Sequence, residues 1–157
     1  TAEGGVNAYG IYNEEDSADL RGGGFSAMAQ GASTGNYGLF NFDSGDITLH
    51  DCAFKASGGV NAWGILQQGA GTTFIGHGIE AAASGAGTAN FGLRNENTST
   101  ADLTGGRLSG GANSALSMTG GTVRLGVTQL IGGATRTGGT LTCFQPYTGA
   151  FAAYVCP

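Results

Sequence analysis

The sequence predicts an all-β chain wound as a right-handed parallel β-helix, a solenoid of about five to six coils ending in a disulfide-closed segment. Three observations lead there. One motif recurs as GGVNAYGIYN (4–13), STGNYGLFN (33–41), GGVNAWGILQ (58–67) and AGTANFGLRN (86–95), with a degenerate copy in NSALSM (113–118). A second marker, an apolar pair five residues apart, drifts along the chain in step with the first: Leu20/Phe25, Leu49/Phe54, Phe74/Ile79, Leu103/Leu108 and Leu125/Leu130. Finally, glycine supplies 32 of 157 residues and proline 2. Each interior glycine costs a helix about 1 kcal/mol relative to alanine, so helices are excluded. The three-residue period of collagen is missing, and Val, Ile, Leu and Phe are too frequent for a disordered linker.

A repeat near 25 residues, built of short strand-like pieces and turns, is shorter than a propeller blade and lacks the asparagine–leucine spacing of leucine-rich repeats. Stacked coils, each adding short strands to parallel sheets, fit it. The first coil opens with AYGIYN, where Tyr9 and Ile11 are two apart and so share one face of a strand. The turn NEEDSAD (13–19) leads to the pair Leu20/Phe25 and the small-residue turn SAMAQGAS. The second coil repeats this with NYGLFN, DITLHDCAF and KASGG, the third with NAWGIL, FIGHGI and EAAASG, and the fourth with NFGLRN, LTGGRL and SGGA. NSALSM, GTVRLGV and IGGAT give a fifth, shorter coil.

Five columns follow from stacking. Ile11, Leu39, Ile65 and Leu93 form an inward aliphatic column, continued by Leu116. On the same face an aromatic ladder of Tyr9, Tyr37, Trp63 and Phe91 is expected inside the solenoid, ring on ring. The glycine between aromatic and aliphatic (Gly10, Gly38, Gly64, Gly92) points outward or sits at a bend. Asn13, Asn41, Gln67 and Asn95 make an amide ladder at a turn. Tyr12, Phe40 and Leu66 are left outside, beside Arg94 and Ser117. Such a stripe is a partner surface or the lining under a neighbouring segment.

The chain has three cysteines, Cys52, Cys143 and Cys156. A Cys143–Cys156 bridge would close a loop of about 14 residues, worth roughly 3 kcal/mol, and would indicate an oxidising compartment. The alternative is two unrelated buried thiols. Coils then occupy 1–142 and a closing segment 143–157, within a single domain. Repeats of the form GGVNAYGIYN followed by DITLHDCAF resemble those of secreted bacterial β-helix proteins of the pectin-lyase-like type. GTLTCFQPYTGAFAAYVCP is similar to the terminal segment that closes such arrays. The resemblance implies a fold, shared by polysaccharide-cleaving enzymes and by surface, adhesive and phage-tail modules, so it does not choose a reaction.

The net charge is −5, with five arginines and Lys55 scattered, which excludes a basic nucleic-acid stripe. No apolar run reaches the roughly 18 residues of a membrane span. No signal peptide is visible, so Thr1 reads as a mature or trimmed start. Catalysis of glycan cleavage needs converging carboxylates. The dense acidic cluster, Glu14, Glu15, Asp16 and Asp19, reads as a solvated turn. Asp19 and Asp102 fall in equivalent positions three coils apart, roughly 14 Å, too far for a catalytic pair. Cys52 and His77 are expected to stack in adjacent coils beside His50 and Asp51. That pair is a thiol–imidazole dyad or half a metal site, or simply fills a corner. Phosphate-loop spacing is absent, and TLT (140–142) and GTT (71–73) are too isolated for an ice-templating face.

No catalytic residues, metal ligands or cofactor are assigned. The expected role is an extracellular structural subunit, secreted or at the cell surface, that stacks end to end with copies of itself into a filament or fibre. The alternative is a glycan-binding or glycan-cleaving domain at a tail-fibre or adhesin tip.

Overall fold

The computed structural model describes residues 1–14, 19–43, 45–111, 113–148, 150 and 152–156. It is an all-β solenoid of parallel strands. After β1 (Ala2–Glu3), the first coil carries β2 (Asn7–Glu14), β3 (Asp19–Gly23) and β4 (Ser26–Gln30). The second carries β5 (Gly35–Phe42), β6 (Asp46–His50) and β7 (Ala53–Ser57). In the next two coils the second and third strands fuse, giving β8 (Asn61–Gln68) with β9 (Thr73–Ser84), then β10 (Ala89–Asn95) with β11 (Thr100–Ser109). The chain narrows to β12 (Leu116–Met118), β13 (Thr122–Gly126) and β14 (Gln129–Ile131), then β15 (Ala134–Arg136), β16 (Thr140–Phe144) and β17 (Tyr147–Thr148). About four turns are full, slightly fewer than expected, because the last two coils keep only three residues each of the first leg.

Each coil therefore has three legs. The first legs form a six-stranded sheet in the order β15-β12-β10-β8-β5-β2, and the other two form an eleven-stranded sheet that bends. The bend between second and third legs lies at one column, Gly24, Asp51, Gly78, Gly105, Val127 and Gln145, all with φ between 45° and 72°. Three of them donate their N–H to the next coil: Gly24 to His50 O, Asp51 to His77 O and Val127 to Phe144 O. A left-handed residue is needed at every level, and glycine supplies it at half of them.

Inside, the aliphatic column Ile11, Leu39, Ile65, Leu93 and Leu116 faces Leu49, Phe54, Phe74, Leu103, Leu108 and Leu125, most of them fully buried. The register revises the second marker. Leu20 and Phe74 share a column with Ile47, Ala101 and Val123, whereas Leu49, Leu103 and Leu125 occupy the next one with Gly22 and Gly76. The apolar pair straddles two columns because volume is traded between them. A methyl group on Gly76 would lie 2.7 Å from both Ile79 and Leu103 and 3.2 Å from the Phe74 ring. Asp19 consequently stands in register with Asp46, and Asp102 belongs to the column of Arg21, so the two aspartates are not equivalent.

Cys143 and Cys156 form a disulfide, with Cα atoms 6.2 Å apart. Cys143 lies within β16, in register with Leu125, so the last coil extends past residue 142 to Thr148 in β17.

Candidate functional site: the outer aromatic face of the first legs

The aromatic ladder is present, but on the opposite side of the sheet from the one expected. Tyr9, Tyr37, Trp63 and Phe91 form a hydrophobic cluster with Phe40, Phe42 and Leu66, separate from the interior that holds Ile11, Leu39, Ile65 and Leu93. Strict alternation fails at the glycine. The ladder pairs Tyr9 with Tyr37 and Ile11 with Leu39 but skips Gly10 and Gly38. A methyl on Gly10 would point inward, 3.0 Å from Met28 N and 3.1 Å from Ala27 Cβ. On Gly38, Gly64 and Gly92 it would meet Lys55 N, Ala82 N and Ser109 N at 2.8, 2.7 and 2.6 Å. Glycine and aliphatic thus both face the core, and the preceding aromatic is turned out. At this point the first and third legs approach so closely that no Cβ fits between them.

On the outer face two columns run side by side: Tyr9, Tyr37, Trp63, Phe91 and Tyr12, Phe40, Leu66, Arg94, Ser117. The stripe covers itself well: Trp63, Phe40 and Leu66 are buried, and Tyr12 is 45% exposed. Tyr9 stacks on Tyr37 at 4.8 Å and 14°, Tyr37 meets Trp63 at 4.8 Å, and Phe40 lies 5.3 Å from Tyr37. The Arg94 guanidinium sits 5.8 Å from the Trp63 ring centre and 5.7 Å from that of Phe91, and is paired with Glu96. Flat ring faces are therefore spent largely on one another and on the Arg94 guanidinium. Burial pushes the Tyr37 phenol up. Burial together with the Glu14 carboxylate, which accepts its hydrogen bond, pushes Tyr12 up to about 12. The Trp63 indole N–H is buried without a partner.

The amide ladder is observed. Asn13 Nδ2 donates to Asn41 Oδ1 at 2.8 Å, and Asn41 Nδ2 donates to Gly45 O at 2.8 Å and Gln67 Oε1 at 3.2 Å. Gln67 Nε2 and Asn95 Oδ1, a donor and an acceptor on successive rungs, have no partner. A second amide position escaped the sequence reading. Asn36 closes a turn through Ala32 N and Ala32 O, and Asn90 does the same through Ala86 N and Ala86 O. The signal was the asparagine before the aromatic in NYG and NFG.

Cys52 and His77 do not stack. His77 is in register with His50, two residues off the expected pairing with Cys52. Cys52 is buried, and its Sγ donates to His50 O at 3.1 Å, just as Thr128 Oγ1 donates to Gly126 O at 3.0 Å after the same bend. The thiol thus closes a turn and does not face an imidazole base. His50 Nδ1 lies 3.3 Å from Asp51 Oδ2 at the exposed surface. Among the described residues no three of His, Cys, Asp and Glu gather as metal ligands. Glu14 ends β2 in register with Phe42, while Glu15 and Asp16 lie outside the described residues.

Register also collects Thr73, Thr100, Thr122 and Thr140 into one outward column that sequence spacing concealed. The column beside it reads Ile75, Asp102, Arg124 and Thr142, with Asp102 and Arg124 joined by two bonds of 2.5 and 2.6 Å. A paired-threonine surface is interrupted there. No helix is long and apolar enough to cross a membrane among the described residues. Comparison with protein-family models, with curated proteins and with solved structures finds no match.

Proposed function

We propose that this chain is a structural β-solenoid module, secreted or displayed at a cell surface, that joins end to end with another copy of itself in a filament or fibre. The observation that carries the reading is the state of the leading coil. Ile11 and Leu20 are only partly buried, whereas Leu39, Ile65, Leu93, Ile47 and Phe74 in the same two columns are about 1% exposed or less. β2 is the edge of its sheet, and Tyr12 and Val6 are exposed at 45% and 65%. A parallel edge with a half-open core is completed by one more coil of the same kind, whether that coil precedes Thr1 in the same chain or comes from a second copy. Contact between unlike ends gives open chains and not closed rings. Right-handed winding is the sense that parallel crossovers take almost without exception. The disulfide supports an oxidising compartment, in keeping with a secreted protein of the pectin-lyase-like type.

Glycan recognition is the weaker reading, since sugars pack on flat ring faces and those of Tyr9, Tyr37 and Trp63 are stacked together. Negative-stain microscopy and sedimentation of the native protein test the proposal. Rods longer than one chain, with the Cys143–Cys156 bond closed or reduced, support it; single units dispersed at high concentration in both states, with retention on a glycan array, would favour the alternative.

A further inference from the structure

The two ends of the solenoid are built differently. In β15 the inward ladder is fixed by Leu116 N donating to Gly133 O and Thr137 N donating to Met118 O. Ala134 N–H therefore points the other way, off the trailing edge, where a following coil would accept it. It is already taken: it donates to the Tyr154 hydroxyl at 2.8 Å. The Tyr154 ring packs on the end of the interior cluster, beside Gly133. The segment that carries it is folded back by an antiparallel bridge between Tyr147 and Ala153, by Tyr154 N donating to Pro146 O at 2.9 Å, and by the bond from Cys156 to Cys143 on β16.

We infer that this segment is a redox-held latch: the Cys143–Cys156 bond keeps Tyr154 on the β15 edge, and opening it frees that edge for the leading strand of a second copy. The inference rests on the end-to-end reading above and adds its control. With the bond intact, the trailing end cannot template another coil at Ala134. Opening consumes a dithiol. Its two S–H groups give up two electrons and two protons, the Cys143–Cys156 bond becomes two thiols, and the dithiol closes to its own disulfide.

The test uses the whole chain, oxidised and then treated with dithiothreitol, beside Tyr154→Phe and Cys156→Ser. Backbone hydrogen exchange at Ala134 reads the latch, and sedimentation velocity reads the association. Reduction and Cys156→Ser should speed exchange at Ala134 on the order of tenfold or more, and Tyr154→Phe should do so while the disulfide stays closed. Unchanged Ala134 exchange in all three, with the other first-leg amides still protected, would overturn the latch whatever the association state. Faster exchange with assembly on reduction supports both readings. Faster exchange in a protein that stays monomeric keeps the latch and refutes the end-to-end joint.

Discussion

At the scale of single residues, the determining feature is a missing atom. Gly64 sits where the first leg passes the third, and an added Cβ would lie 2.7 Å from Ala82 N, 2.7 Å from Gly92 O and 3.0 Å from Ala81 C. All three are backbone atoms held in ladders, so none can yield alone. Gly64→Ala is expected to destabilise by about 3 kcal/mol, at the upper end of overpacking, and urea denaturation measures it. Loss under 1 kcal/mol would mean the legs are not in contact there. Tyr12 gives a residue-scale test in pH. Its phenol is held up to about 12 against about 10 in an unfolded chain, so the folded state favours the neutral form. That contribution is complete below pH 10 and is lost as pH rises through 10 to 12. Tyr12→Phe should therefore shift alkaline unfolding, followed by circular dichroism, to higher pH. An unmoved curve would show that Tyr12 ionises as freely in the folded chain as in the unfolded one.

At the scale of elements, a strand here is defined by its columns, and columns are where the sequence was partly legible. The aliphatic and amide columns were readable because one residue type recurs at one offset from a glycine. The aromatic column was readable as a column but not as to side: two inward residues in succession at Gly10–Ile11 break the period of two, and only a contact with Ala27 and Met28 on another leg reveals it. Thr73, Thr100, Thr122 and Thr140 were hidden for a related reason, since Leu20 and Leu49 look alike in sequence yet stand two residues apart in register. The amide column carries a prediction of its own. Asn41 joins Asn13, Gly45 and Gln67 in one buried node. Asn41→Leu would leave donor and acceptor groups on either side unpaired, at a cost of about 2 to 4 kcal/mol. The loss should exceed that of Asn36→Leu only if neighbouring rungs are coupled. A double-mutant cycle of Asn13 with Asn41 reads the coupling directly, and additivity would show the ladder to be a row of independent bonds.

For the whole molecule, stability is a sum over stacked coils and their contacts with neighbours, so the ends set how the array comes apart. The trailing end is stapled by a disulfide spanning 13 positions, with Tyr154 docked against the interior. The leading coil has no such closure among the described residues, and Ile11 and Leu20 stay partly open there. Exchange of backbone amides should therefore be fastest in β2, slowest in β8 to β11, and intermediate in β15 and β16 while the protein is oxidised. Breaking the staple with the paired variant Cys143→Ser/Cys156→Ser should lower global stability by about 3 kcal/mol, read as a lower urea midpoint at unchanged slope. The same change should leave exchange in β2 where it was when measured under strongly native conditions, because nearest-neighbour contacts carry no influence across four full turns. If β2 loosened together with β15, the solenoid would be unfolding as one cooperative block, and an end-specific joint would lose its physical basis.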